Sequence, residues 1–206
     1  MSIDEEFKII RDFAQQNIDM FSHQVNTKLL FNKKNVEYLS EIHFKGLKQK
    51  FIDGRVIKIK NKISYPDPAL HLLLKKRLKI NEVELEKIEA FHAACMSEED
   101  VLGERLEEYI YSVAHSFGWI WCSGNIITAI DFIKKNKNDS WEILQIKNSD
   151  NSENSSSRKV REGTLIKMWF RRFSKKKDNY SNWDELNKIM NTDKFSEKSF
   201  LKFLER

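Results

Sequence analysis

Two cysteines, two prolines and six glycines are all that 206 residues contain. So few glycines and prolines argue against a loop-rich all-β architecture and for long helices. Cys95 and Cys122 match neither a disulfide framework nor a metal-site spacing, so they read as reduced thiols of a cytoplasmic protein. The five histidines show no metal-ligand spacing with one another or with the cysteines. There is no glycine-rich phosphate loop and no Ser–His–Asp set. Long apolar runs are missing too. The most apolar window, "WIWCSGNIITAIDFI", is short and broken by Asp131, whereas a membrane span needs about 20 apolar residues. "MSIDEEFKIIRDF" is charged throughout and reads as no secretory leader.

A core is well provided for, with 40% hydrophobic residues, 14 Phe and 5 Trp. The formal charge of +5 is modest, but it is unevenly spread. Between Arg158 and Lys177 Arg and Lys recur against the single acid Glu162, the footprint of a polyanion binder. A basic surface that merely faces water would carry the same residues.

Ile3, Phe7, Ile10, Phe13 and Ala14 recur at helical spacing. "GRVIKIKNK" alternates as a short strand or exposed hairpin, "SYPDPAL" is a turn, and "ALHLLLKKRLKI" and "NEVELEKIEAFHAACM" read as helices. At Ser97, "SEED" has capping-box spacing and predicts a new helix ending at Gly118. "WIWCSG", "NIITAIDFI" and "SWEILQIK" follow as adjacent strands, the last two joined by the hairpin "KKNKNDS". "GTLIKMWFRRFSKKK" has its aromatics at i, i+3, i+4 and i+7 and predicts an amphipathic helix. "SNWDELNKIM" and "SFLKFLER" predict two more. The order gives an α/β fold: a mainly helical region over 1–96 packed on a core over 97–206, the two forming one continuous domain.

Alternation along a strand puts Gln145 and Lys147 on one face. Asp131 is a lone acid where a strand normally buries a hydrophobe, and hairpin pairing brings it beside them. Carboxylate, amide oxygen, a strand carbonyl such as that of Ile146, and water are the oxygen donors a divalent ion takes. A lysine close by orients water and stabilises developing negative charge. These types suit phosphodiester hydrolysis.

Asp131, a short hairpin and then Gln145-Ile146-Lys147 resemble the PD-(D/E)XK nuclease signature. Ile130 replaces the usual proline, and Gln145 stands where an acid is usual, removing one negative charge from the metal site. Glu142 faces the other way in the strand. Pro66-Asp67, a literal PD, lies far upstream in a turn and is a decoy. A helix before the core sheet often donates a further acid in this superfamily; Glu107 flanks the apolar stripe and fits that role. The longer block "LQIKNSDNSENSSS…VREGTLIKMWFRRFS", with "WIWCSG…AIDFIKK" ahead of it, is similar to the SinI-type restriction endonucleases. That resemblance implies a restriction-endonuclease-like core, a mixed sheet flanked by helices with an N-terminal helical extension. It also implies a homodimer cutting double-stranded DNA at a short palindromic GG…CC site with Mg²⁺ (Mn²⁺ substituting), leaving 5′-phosphates. A cognate DNA methyltransferase is then a functional companion, not a bound partner.

The polar run after the lysine suits base edges: Asn reads adenine, Asp reads cytosine, and Arg reads guanine. Asn148, Ser149, Asp150, Asn151, Ser152, Asn154, Ser155, Ser156, Arg158 and Arg161 are the expected readers. Lys167, Arg171 and Arg172 are expected to grip phosphates. Two other readings remain open: a non-catalytic sequence-specific regulator on the same fold, and a structure-selective repair nuclease.

Overall fold

The computed structural model describes residues 1–17, 40–58, 67–127, 129–150, 163–175 and 181–206. The chain divides into two compact units, Met1–Val56 with Leu106–Arg206, and Ile57–Arg105.

In the first unit, helix α1 (Ile3–Gln16) starts at a capping box: the Ser2 hydroxyl accepts from Glu5 N–H and the Glu5 carboxylate accepts from Ser2 N–H. Such reciprocal caps satisfy main-chain donors that a helix start leaves unpaired. Helix α2 (Glu41–Asp53) is capped by Ser40. Their apolar faces meet, with the Phe7 and Phe51 rings 5.7 Å apart, and together with one face of the sheet they enclose a core that includes Phe13, Phe44 and Leu47.

The sheet has strands β1 (Ile120–Trp121), β2 (Phe132–Lys135), β3 (Trp141–Ser149) and β4 (Lys167–Arg172) in the order β1-β2-β3-β4. The first two pairings are antiparallel and the third is parallel. This is a mixed α/β fold, consistent with a restriction-endonuclease-like core. Ile120, Ile133 and Ile143 point into the core under α1 and α2. On the opposite face Trp169 packs against Trp183, 5.2 Å between rings. Trp183 opens helix α5 (Trp183–Met190) and is followed by α6 (Glu197–Leu204). Both helices lie where the sequence predicts them.

The second unit holds helix α3 (Pro68–Leu78) and the first part of the long helix α4 (Glu82–Ala114). Asp67, from the decoy PD pair, is the N-cap of α3 and accepts from Ala69 N–H at 2.9 Å.

Three expectations are corrected. No helix starts at Ser97: α4 runs through it, and the Ser97 hydroxyl donates to the Ala93 carbonyl at 3.0 Å. A serine inside an existing helix bonds back one turn instead of capping. "LIKMWFRR" is strand β4, not a helix. In so short an apolar run the two periods cannot be told apart, and pairing along β3 decides. The second strand begins only at Phe132, because Asn125 and Ala129 take positive φ (50° and 61°) and turn the chain. Of the stretch "GRVIKIKNK", residues 54–58 follow the end of α2 and belong to no strand, and residues 59–62, where the rest of that expectation falls, lie outside the described residues.

Gly124 fixes how the β1–β2 connection meets α2. Its φ is +76°, and a Cβ there would stand 2.2 Å from the Lys50 carbonyl oxygen. Ser123 adds a hydrogen bond to the Phe51 carbonyl at 2.7 Å. Gly124→Ala is expected to cost about 3 kcal/mol from left-handed strain plus the backbone clash. A urea midpoint unchanged from wild type would show that this close approach does not exist.

Candidate active site

Asp131 immediately precedes β2. Continuing the register one step from Phe132–Leu144 sets it opposite Gln145. Its main-chain N–H donates to the Leu144 carbonyl at 3.0 Å, and its carboxylate accepts from Ile146 N–H at 2.6 Å. A side chain therefore takes the strand donor that a longer β2 would have paired. The N–H and C=O of one strand residue point to the same edge, so the Ile146 carbonyl faces the edge that β2 has left.

Gln145 is only 2% exposed. It lies on the same face as Asp131, Cys122 and Lys147. Burial pushes the Asp131 carboxyl from 3.8 up to about 6, against the Ile146 hydrogen bond and the nearby Lys147 ammonium, which both pull it down. That opposing pull from Lys147 ties the two residues electrostatically. Glu142 points to the opposite face by alternation, where it pairs with Lys134 at 3.6 Å.

Glu107, on the part of α4 that belongs to the first unit, accepts from the Trp121 indole N–H at 2.7 Å. Cys122 sits in the field of both acids. Burial first, then the Asp131 and Glu107 carboxylates, raise its thiol well above the ordinary range. Behind it, Glu6 is buried and bonded to Arg55 and Tyr111, and the Arg55 guanidinium lies over the rings of Phe51, Tyr111 and Trp121. His115 lies 3.4 Å from Glu6. Nothing in local sequence marks this cluster, because its members come from α1, the end of α2, α4 and β1.

Among the described residues no three His, Cys, Asp or Glu side chains converge as a metal site. The oxygen donors present are instead one carboxylate, one carboxamide and one strand carbonyl, a set that suits a hard divalent ion completed by water.

The residues expected to bind DNA separate into groups. Arg172 pairs in register with Ser149 on the face that carries Lys147, and it is exposed; Lys167 is exposed on the other face. Arg171 is buried instead. It donates to the Asn148 side-chain oxygen at 2.8 Å and to Glu197 at 2.6 Å, and lies over the Phe200 ring. Alternation in β4 turns it toward α6 with Trp169, while its partner Asn148 remains half-buried. Asp150 accepts from Ser174 N–H at 2.8 Å, a bond that holds its carboxyl below the usual range. It thereby ties the start of the polar run to the end of β4. Asn151, Ser152, Asn154, Ser155, Ser156, Arg158 and Arg161 lie outside the described residues.

A family model described as SinI restriction endonuclease matches residues 1–206. Two similar proteins are the type II restriction enzymes Eco47I of Escherichia coli and SinI of Salmonella infantis. Each is 33% identical over 205 residues, covering 98% of this chain and 86% of its own length. No described helix is long and apolar enough to cross a membrane. With the whole length matched and the core sheet in place, the chain belongs to the SinI restriction endonuclease family, and with it to the type II site-specific deoxyribonucleases.

Proposed function

We propose that this cytoplasmic enzyme cuts both strands of a short palindromic site of the GG…CC type as a homodimer. It uses Mg²⁺, with Mn²⁺ as a substitute, and leaves 5′-phosphates; a cognate methyltransferase protects the host's own sites. The observation that carries the reading is the meeting of Asp131, the Ile146 main chain and Lys147 at one end of β2. Asp131, Gln145 and the Ile146 carbonyl would hold a divalent ion there, which would polarise the scissile phosphate and acidify a bound water.

The chain's own residues do the rest. Asp131 is held by Ile146 so that its carboxylate keeps one orientation. Gln145 offers a neutral oxygen from a buried position, and Lys147 orients the attacking water and meets charge as it grows on phosphate. Water oxygen bonds to phosphorus as the bond to the 3′-oxygen breaks, giving 3′-hydroxyl and 5′-phosphate ends. Arg172, exposed on the same face, holds a phosphate in this reading. Two copies are needed because one site cuts one strand and a twofold target presents two equivalent bonds.

Digesting DNA of known sequence with Mg²⁺ and mapping the ends is the test. Fixed ends inside GG…CC sites with 5′-phosphates are expected. Ends that follow DNA shape would favour a structure-selective nuclease. Gln145 in place of an acid gives the regulator reading its one support, and specific binding without cleavage in either Mg²⁺ or Mn²⁺ would make that reading correct.

A further inference from the structure

The second unit carries an apolar surface that its own helices leave uncovered. Helix α3 buries no residue, although four of its eleven positions from Pro68 to Leu78 are exposed leucines. Ion pairs between His71 and Glu89 and between Lys75 and Glu82 fix which sides of α3 and α4 face each other. Helical geometry then puts Leu70 and Leu73 of α3 on the same side as Ile88, Phe91 and Cys95 of α4. Leu73 is 63% and Phe91 71% exposed.

We propose that this face, centred on Leu70, Leu73, Ile88 and Phe91, is the surface through which two copies of the chain dimerise. The inference rests on the homodimeric reading above and assigns its interface.

Area and charge both favour a second copy as the occupant. The four side chains expose on the order of 500 Å² together. That is about the apolar share of the roughly 800 Å² that each partner contributes to a standard interface, and a contiguous apolar patch of a few hundred Å² is often a functional surface. Charge does not favour DNA as the occupant, since the exposed Lys76, Arg77, Lys79 and Lys87 are offset by exposed Glu84, Glu86, Glu98, Glu99 and Asp100, unlike the one-signed basic surface of a polyanion binder. The rim of the face holds both signs, Arg77 on α3 and Glu84 and Glu98 on α4. An isologous contact requires such self-complementarity, because the same patch meets itself.

Sedimentation velocity on wild type and Phe91→Glu provides the test. Wild type is expected to run as a dimer, and F91E as a monomer of unchanged helicity with self-association weakened at least about 30-fold, as loss of a central aromatic anchor implies. Cys95 is a second reporter that needs no disruptive variant: a short bis-maleimide should couple two wild-type chains, and Cys95→Ala should abolish the coupling. If F91E loses its helicity, that coupling decides. A dimer that persists in F91E and is not coupled through Cys95 overturns the surface while leaving the nuclease reading intact. A wild type that is monomeric while cutting both strands overturns surface and dimer together, and means another part of the chain covers the face. Absence of cleavage by a dimer that F91E dissociates would overturn the nuclease reading alone.

Discussion

Asp131→Asn should stop DNA cleavage, with a loss of about a thousandfold or more in rate, and should leave a protein that is more stable at neutral pH than wild type. Asparagine keeps the shape and an oxygen that accepts from Ile146 N–H, so the end of β2 stays in place. What disappears is the negative charge. Burial raises the Asp131 carboxyl from 3.8 to about 6, so the fold favours its protonated form. The stabilising effect of that proton is complete below pH about 4 and lost as pH rises through about 6. At pH 7 the ionised group therefore costs stability, on the order of 3 kcal/mol, and the neutral amide relieves it. Stability given up at a site that needs a buried charge is the usual trade between folding and catalysis. Thermal unfolding at pH 7 and at pH 4 separates the effects: the gain should be present at the higher pH and shrink at the lower. Added Mg²⁺ should raise the wild-type midpoint and leave that of D131N unmoved. Cleavage retained by D131N would remove Asp131 from the site.

Much of this arrangement is legible in the sequence for one physical reason. A strand that must bury a face cannot carry a carboxylate there without a compensating donor, so Asp131 stands out among Ile126, Ile127, Ile130, Phe132 and Ile133. Strand alternation does the same for Gln145 and Lys147, and their placement on the face of Asp131 matches what two-residue periodicity requires. Chain-distant partners are not legible. The hydrogen bonds of Arg171 to Asn148 and Glu197 join residues 23 and 26 positions apart. Nothing local distinguishes a buried arginine in a basic run from one that meets DNA. The Glu6–Arg55–Tyr111 cluster escapes for the same reason, with Glu6 and Tyr111 separated by 105 positions. The run that forms β4 predicts a helix from the spacing of Ile166, Trp169, Phe170 and Phe173, because that spacing takes no account of the strand edge that β3 supplies. The capping pattern at Ser97 failed differently. A cap needs a chain that arrives non-helical, and α4 arrives already wound.

Lys147→Ala should lower the cleavage rate by about 10²–10³-fold, the loss typical of removing one group that meets developing charge, and should change specific DNA binding little. Its second effect distinguishes catalysis from mere loss of a surface charge. The Lys147 ammonium is one of the two influences holding the Asp131 carboxyl down. Without it, burial is opposed by the Ile146 hydrogen bond alone and Asp131 titrates at a higher pH. In the proposed mechanism cleavage needs Asp131 ionised, so the acid limb of the pH–rate profile should move upward in K147A at a fixed, sub-saturating Mg²⁺ concentration. Lys147→Arg keeps the charge and should leave that limb near its wild-type position, although the broader guanidinium places its donors differently and the rate should still fall. Profiles for K147A and wild type that differ in height but share one acid limb would show that Lys147 acts on phosphate without touching the electrostatics of Asp131. Equal rates for the two proteins would remove the lysine from the chemistry altogether.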